Sequence, residues 1–135
     1  MQRIVEMNGH DWIMIVDDNP IDQKITLQAL KSSGFKDDVM VFDNAKVALN
    51  HLISLSSAVG KMPKFLLLDL DMPQMNGLIF LEQFSKLCPE LKKACKIVVI
   101  TASKVKKDLA IVKAHPEVVR LISKPLNANS LHFIT

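Results

Sequence analysis

The chain has no tyrosine, and its 135 residues include only six phenylalanines and one tryptophan. The aromatic platform on which single-stranded nucleic acids stack is missing, and a net charge of +3 supplies no strongly basic stripe in its place. No direct nucleic-acid binding is expected. Cysteine is as scarce: Cys88 and Cys95 stand alone, at a spacing that fits no common zinc or redox motif, and read as reduced cytoplasmic thiols. The histidines His10, His51, His115 and His132 are scattered without ligand or relay spacing, which leaves them surface or packing roles. Apolar runs reach only a few residues, far below the roughly 20 that span a bilayer. The opening MQRIVEMNGH carries Glu6 and lacks the apolar stretch and cleavage site of a signal peptide. These absences predict a cytoplasmic protein with no membrane segment.

What is present, 49% apolar and 23% charged residues, suits one soluble domain, since 135 residues hold one ordinary core. Lysines 104, 106, 107 and 113 cluster on a segment that keeps helical spacing, so they read as its solvated face. Five short, largely β-branched runs punctuate the chain: Trp12 to Val16, Val39 to Phe42, Phe65 to Leu68, Ile97 to Ile100 and Val118 to Ile122. Runs of this kind predict strands buried on both faces. Between them lie four helical segments, marked by Ile21, Ile25 and Ala29, by Ala45, Ala48, Leu49 and Leu52, by Phe80, Phe84 and Leu87, and by Val105, Leu109 and Val112. Pro20 suits a first helical turn, Gly34 a helix stop, Pro63 a loop and Pro89 the end of the third helix. Alternating strands and helices predict an α/β fold, a doubly wound, mostly parallel sheet with helices on both faces. Residues 1–10 read as an irregular lead-in to a domain over 11–135, whose last helix, near Asn127, is short or cut off.

In such a sheet, ligands bind at the carboxyl ends of the strands. Strand one ends in Asp17 and Asp18, strand three in Asp69 and Asp71, strand four in Thr101 and Ala102, and strand five in Ser123, Lys124 and Pro125. Each has an ordinary structural explanation by itself, as a cap, a turn or a strand end. Parallel strands, however, bring all four to one edge. Crowded carboxylates repel unless a cation compensates, and oxygen ligands without nearby His or Cys favour a hard ion such as Mg2+. Such an ion also makes one carboxylate a workable phosphoryl acceptor, with the Thr101 hydroxyl and Lys124 ammonium free to pair with the remaining oxygens.

The acidic pair in IVDDNP, the segment LLDLDMPQMNG, the strand end VVITAS and the turn ISKP resemble, in order and separation, the response-regulator receiver domain of two-component signalling. The resemblance runs from about residue 11 to the carboxyl terminus. It implies a five-stranded parallel sheet of flavodoxin-like order 2-1-3-4-5. It also implies that Asp69 is the phosphorylated residue, that Asp18 binds Mg2+ (with Mn2+ able to substitute), and that Asp17 binds the metal or orients it through water. Asp71 stands where the family offers a backbone carbonyl to the metal. Thr101 resembles the switch hydroxyl, Ala102 the small residue that leaves room for phosphodonors, and Lys124 the cation that pairs with the phosphoryl group, typically before a cis proline, here Pro125. Met75 and Gly77 shape the loop after the acceptor.

Membership would make the chain a stand-alone phosphorylation-dependent switch rather than an enzyme, its only chemistry being metal-dependent self-phosphorylation and self-dephosphorylation. A sensor histidine kinase or histidine phosphotransfer protein would serve as donor, and a separate downstream protein or a phosphorylation-linked dimer as output. Two features depart from the pattern or bear on it. Leu121 replaces the aromatic residue that many receivers carry three positions before the lysine, and Asp71 and Ser103 occupy positions that influence acyl-phosphate lifetime in the family. Two other readings stay open: a dehalogenase-type phosphatase built on the DxD of Asp69 and Asp71, and a receiver fold used only for binding.

Overall fold

A computed structural model describes residues 12–55, 61–72 and 75–134, so the expected lead-in at residues 1–10 lies outside the described residues. The elements run β1 (Trp12–Val16), α1 (Pro20–Ser32), β2 (Asp38–Phe42), α2 (Ala45–Ser54), β3 (Phe65–Asp69), α3 (Gly77–Ser85), α4 (Pro89–Ala94), β4 (Lys96–Thr101), α5 (Lys106–Ala114) and β5 (Val118–Ser123), closed by a 3-10 turn at His132–Ile134. All strands pair in parallel in the order β2-β1-β3-β4-β5.

Period-2 alternation sends successive residues of the central strands to opposite faces. One face gathers Trp12, Met14, Val16, Leu66, Leu68, Ile97 and Val99 with Ala48 and Leu52 of α2 and Phe80 and Phe84 of α3. The other gathers Ile13, Ile15, Leu67, Val98 and Ile100 with Ala29 and Leu30 of α1 and with Leu131 and Ile134. Two residues around the 3-10 turn thus cover a sheet face, and Phe133 adds to them by meeting Phe65 edge-on at 6.1 Å.

Local sequence explains most boundaries. The Asn19 side chain accepts from the amides of Ile21 and Asp22 and Pro20 occupies the first turn, which starts α1. Gly34, at φ +91°, ends it: its amide donates to Lys31 and that of Phe35 to Leu30, the paired bonds of a Schellman stop. Asn44 and Asn76 cap α2 and α3 in the same way as Asn19.

Three expectations need correction. Pro89 opens a further short helix, α4, rather than ending the third; its fixed φ suits a first turn as well as a stop, and α3 has already ended at Ser85. On α1, Ile21 is 69% exposed and Ile25 also faces outward, while Thr26, Ala29 and Leu30 pack inward, so the core stripe is rotated from the apolar row read in the sequence. Finally, β5 is not buried on both faces: as an edge strand with a neighbour on one side only, it has Val119, Arg120 and Ser123 exposed and its other residues half-buried.

Candidate phosphoryl-acceptor site

Parallel register brings the strand ends level. Asp69 pairs with Ile100 and Thr101 with Ser123, while the Asp17 amide, just beyond β1, donates to the Phe42 carbonyl at 3.0 Å. Asp17, Asp69 and Thr101 are all buried, and Asp18 is half-buried beside them. One carboxylate oxygen from each of Asp17, Asp18 and Asp69 lies within 4.8 Å of the others, a spacing that suits a shared cation.

Each side chain is held by local structure. Asp17 accepts from the Asn19 amide at 2.9 Å, and its main-chain carbonyl accepts from the Gln23 side chain at 2.6 Å. Asp69 accepts from the Asp71 amide at 3.2 Å. The Thr101 hydroxyl accepts from the Ser103 amide at 2.9 Å and points its own hydrogen toward the Asp71 carboxylate across a long 3.4 Å contact. Lys124 follows β5 directly; its amide donates to the Thr101 carbonyl at 2.9 Å, and the Lys124–Pro125 peptide is cis. Its ammonium faces three carboxylates, Asp22 at 2.7 Å, Asp17 at 3.4 Å and Asp69 at 3.5 Å.

The charges reflect that packing. Burial pushes the Asp69 carboxyl up to about 6, against the pull of Lys124 and the Asp71 amide. Burial likewise raises Asp17, opposed by the Asn19 amide and Lys124. For Lys124, burial works against the ammonium, but the hydrogen bond to Asp22 and the charges of Asp17 and Asp69 outweigh it and leave it above its ordinary value.

The structure therefore brings Asp17, Asp18, Asp69, Thr101 and Lys124 together. Asp71 and Ala102 are exposed at the rim, Met75 is half-buried, and Gly77 packs against Leu70 at the end of β3. Leu121 is half-buried against the first core face. Asp22, beside Lys124, and Gln23, on the Asp17 carbonyl, are the site neighbours that sequence reasoning missed. The signal was present in DDNPIDQ, where the cap at Asn19 starts a helix whose first turn returns to the strand end, but an acid in a first turn reads as a helix-dipole partner.

A buried carboxylate at a strand end, two acidic neighbours and a lysine just before a cis peptide at a strand exit fit a class of signalling phosphoacceptor. The response regulator receiver domain model matches residues 13–134, and the chain belongs to that family. It is 29% identical over 127 residues to a hybrid signal transduction histidine kinase C of Dictyostelium discoideum, covering 90% of this chain and 10% of that protein. Among solved structures, a two-component response regulator from Cytophaga hutchinsonii shares the fold with a TM-score of 0.81 at 24% identity, 92% of each chain being covered. The phosphorylated cyanobacterial phytochrome response regulator RcpA is similar at 26% identity and a TM-score of 0.74, over 93% of this chain and 88% of that one. Receiver domains take phosphoryl groups from histidine kinases, and this chain is a phosphorylation-dependent signalling switch. Among the described residues, no helix is long and apolar enough to cross a membrane.

Proposed function

We propose that Asp69 accepts the phosphoryl group. The observation that carries this reading is its position at the end of the central strand β3, buried, with Asp17 and Asp18 close by and the Lys124 ammonium 3.5 Å away. An Asp69 oxygen forms the new bond to phosphorus as the P–N bond of a donor phosphohistidine breaks, the electron pair leaving on the imidazole nitrogen. Asp69 must be ionised to attack, and a carboxyl near 6 is mostly ionised at neutral pH.

Asp17, Asp18 and Asp69, with the main-chain carbonyl of Asp71, would hold Mg2+, or Mn2+ in its place. The donor set is all oxygen and crowded with negative charge, as a hard cation requires. When bound, the ion offsets charge on the transferring group. Thr101 and Lys124 supply a hydroxyl and an ammonium to the phosphoryl oxygens, while Ala102 leaves the entry side uncrowded. Charge-assisted contacts of this kind bias an existing equilibrium between two conformations. Because Leu121 offers no hydroxyl, any inward movement at that position must be read out through packing.

The donor is a sensor histidine kinase or a histidine phosphotransfer protein in the cytoplasm. The switched surface acts on a separate protein or on dimerisation, without contacting nucleic acid. The test is incubation with Mg2+ and acetyl phosphate, or with a phosphorylated donor, followed by mass spectrometry. A single phosphoryl addition that Asp69→Asn abolishes supports the reading. No addition from either donor sinks it, and rapid turnover of phosphate esters would instead indicate a phosphatase.

A further inference from the structure

The ammonium assigned to the phosphoryl group is not closest to the acceptor. Lys124 lies 2.7 Å from Asp22, against 3.5 Å from Asp69 and 3.4 Å from Asp17. Both ends of this contact are anchored. Asp22 sits in the first turn of α1, its amide held by the Asn19 cap at 3.0 Å, and the Lys124 amide is held by the Thr101 carbonyl at 2.9 Å. The pair is largely shielded, with side-chain exposures of 16% for Lys124 and 30% for Asp22, so it is screened less than a surface ion pair. Asp22 is also not one of the three converging carboxylates. It faces the lysine from the flank of the site.

We propose that Asp22 is a latch on Lys124: it holds the ammonium on the α1 side of the site, and the lysine must leave it to serve the oxygens of a phosphorylated Asp69. The proposal rests on Asp69 being the acceptor and adds a residue that sets how strongly the site binds a phosphoryl group. Charge-assisted hydrogen bonds are strongest at the short distance seen to Asp22, whereas Asp69 gains one only once extra negative charge arrives. Phosphorylation then becomes a competition between two acceptors for one ammonium. Asp22 is a positioning residue, acting through Lys124.

Calorimetric titration of the whole chain with beryllium fluoride in saturating Mg2+ tests this, the fluoride standing in for the phosphoryl group. Asp22→Asn, with Asp22→Ala as a second variant and thermal melts to verify folding, is expected to tighten beryllofluoride binding about two- to five-fold, the span of a partly exposed ion pair. In a Lys124→Gln background, Asp22→Asn should change nothing, since the latch has no bolt. A gain that persists there would reflect simple relief of charge repulsion and would overturn the proposal. Unchanged or weaker binding by both single variants, with the wild type binding normally, overturns the latch alone. If the wild type and Asp69→Asn are equally inert, the acceptor reading falls, and the latch falls with it.

Discussion

Gly77 donates its amide to the Leu70 carbonyl at 2.8 Å, and a Cβ at Gly77 would stand 2.7 Å from the Leu70 Cα and 3.0 Å from the Asp69 carbonyl oxygen. The start of α3 is thus pressed against the strand end that carries Asp69. The Leu70 Cδ2, also 2.7 Å away, can rotate aside, but the two backbone atoms cannot. Gly77→Ala is expected to cost about 1–3 kcal/mol by overpacking, seen as a lower urea midpoint, and to slow phosphorylation by moving Asp69.

The raised Asp69 carboxyl links the stability of the metal-free protein to pH. An acid whose folded pKa lies above its unfolded value holds its proton in the folded state while the unfolded chain has released it. Its contribution is therefore fully present below about 4 and is lost as pH rises through about 6. In the presence of a chelator, stability should fall over that window, and Asp69→Asn should remove about 1–3 kcal/mol of the fall. Denaturant titrations at pH 4.5 and 7.5 measure both; an unchanged slope in the variant would count against the burial argument.

Cation binding should act in the opposite sense. Mg2+ adds counter-charge to Asp17, Asp18 and Asp69 beyond the single Lys124 ammonium, so at about 100 times its dissociation constant it should stabilise the fold by about 2.7 kcal/mol. Binding releases protons from the raised Asp17 and Asp69 carboxyls, so the gain should shrink below about pH 6. Melting curves with Mg2+ and with chelator, for wild type and Asp18→Asn, check the point. The variant should lose most of the response.

Thr101, 1% exposed, uses its hydroxyl oxygen to accept from the Ser103 amide. Thr101→Val keeps the shape and removes the acceptor, which should cost about 1–3 kcal/mol for the unpaired amide. Thr101→Ser should keep both the bond and the response to phosphorylation. Comparing the two by unfolding and by beryllofluoride-induced spectral change separates lost stability from lost switching.

The two cysteines should differ sharply in reactivity. Cys88 is exposed, whereas Cys95, between α4 and β4, is buried and its thiol is held far above its usual range by that burial. At pH 8, iodoacetamide should label Cys88 in the native protein and reach Cys95 only after denaturation, as read by peptide mass spectrometry.

Much of this was legible in the chain. WIMIV, FLLL and IVVI are short apolar runs interleaved with helical periods, and that alternation alone implies parallel strands whose polar ends meet at one edge. Asp17, Asp18, Asp69, Thr101 and Lys124 could be assembled from it because each ends a strand or lies within two residues of its end. A group tied to a strand end by local rules is visible in one dimension.

Features that depend on distant packing were hidden. That Ile21 and Ile25 face outward on α1 depends on how the helix is rolled against β1, and the exposure of β5 depends on its place at the sheet edge. Pro89 is compatible with a stop or a start, and only the end of α3 at Ser85 decides between them. The Asp22–Lys124 contact joins residues 102 positions apart; DDNPIDQ returns Asp22 to the end of β1, but no local pattern pairs it with Lys124. Strand periodicity and turn chemistry are local, so the order of residues was enough to settle which groups reach the carboxyl edge of the sheet. Which carboxylate the lysine holds was settled in three dimensions, because that choice depends on where the capped first turn of α1 lands beside the end of β5.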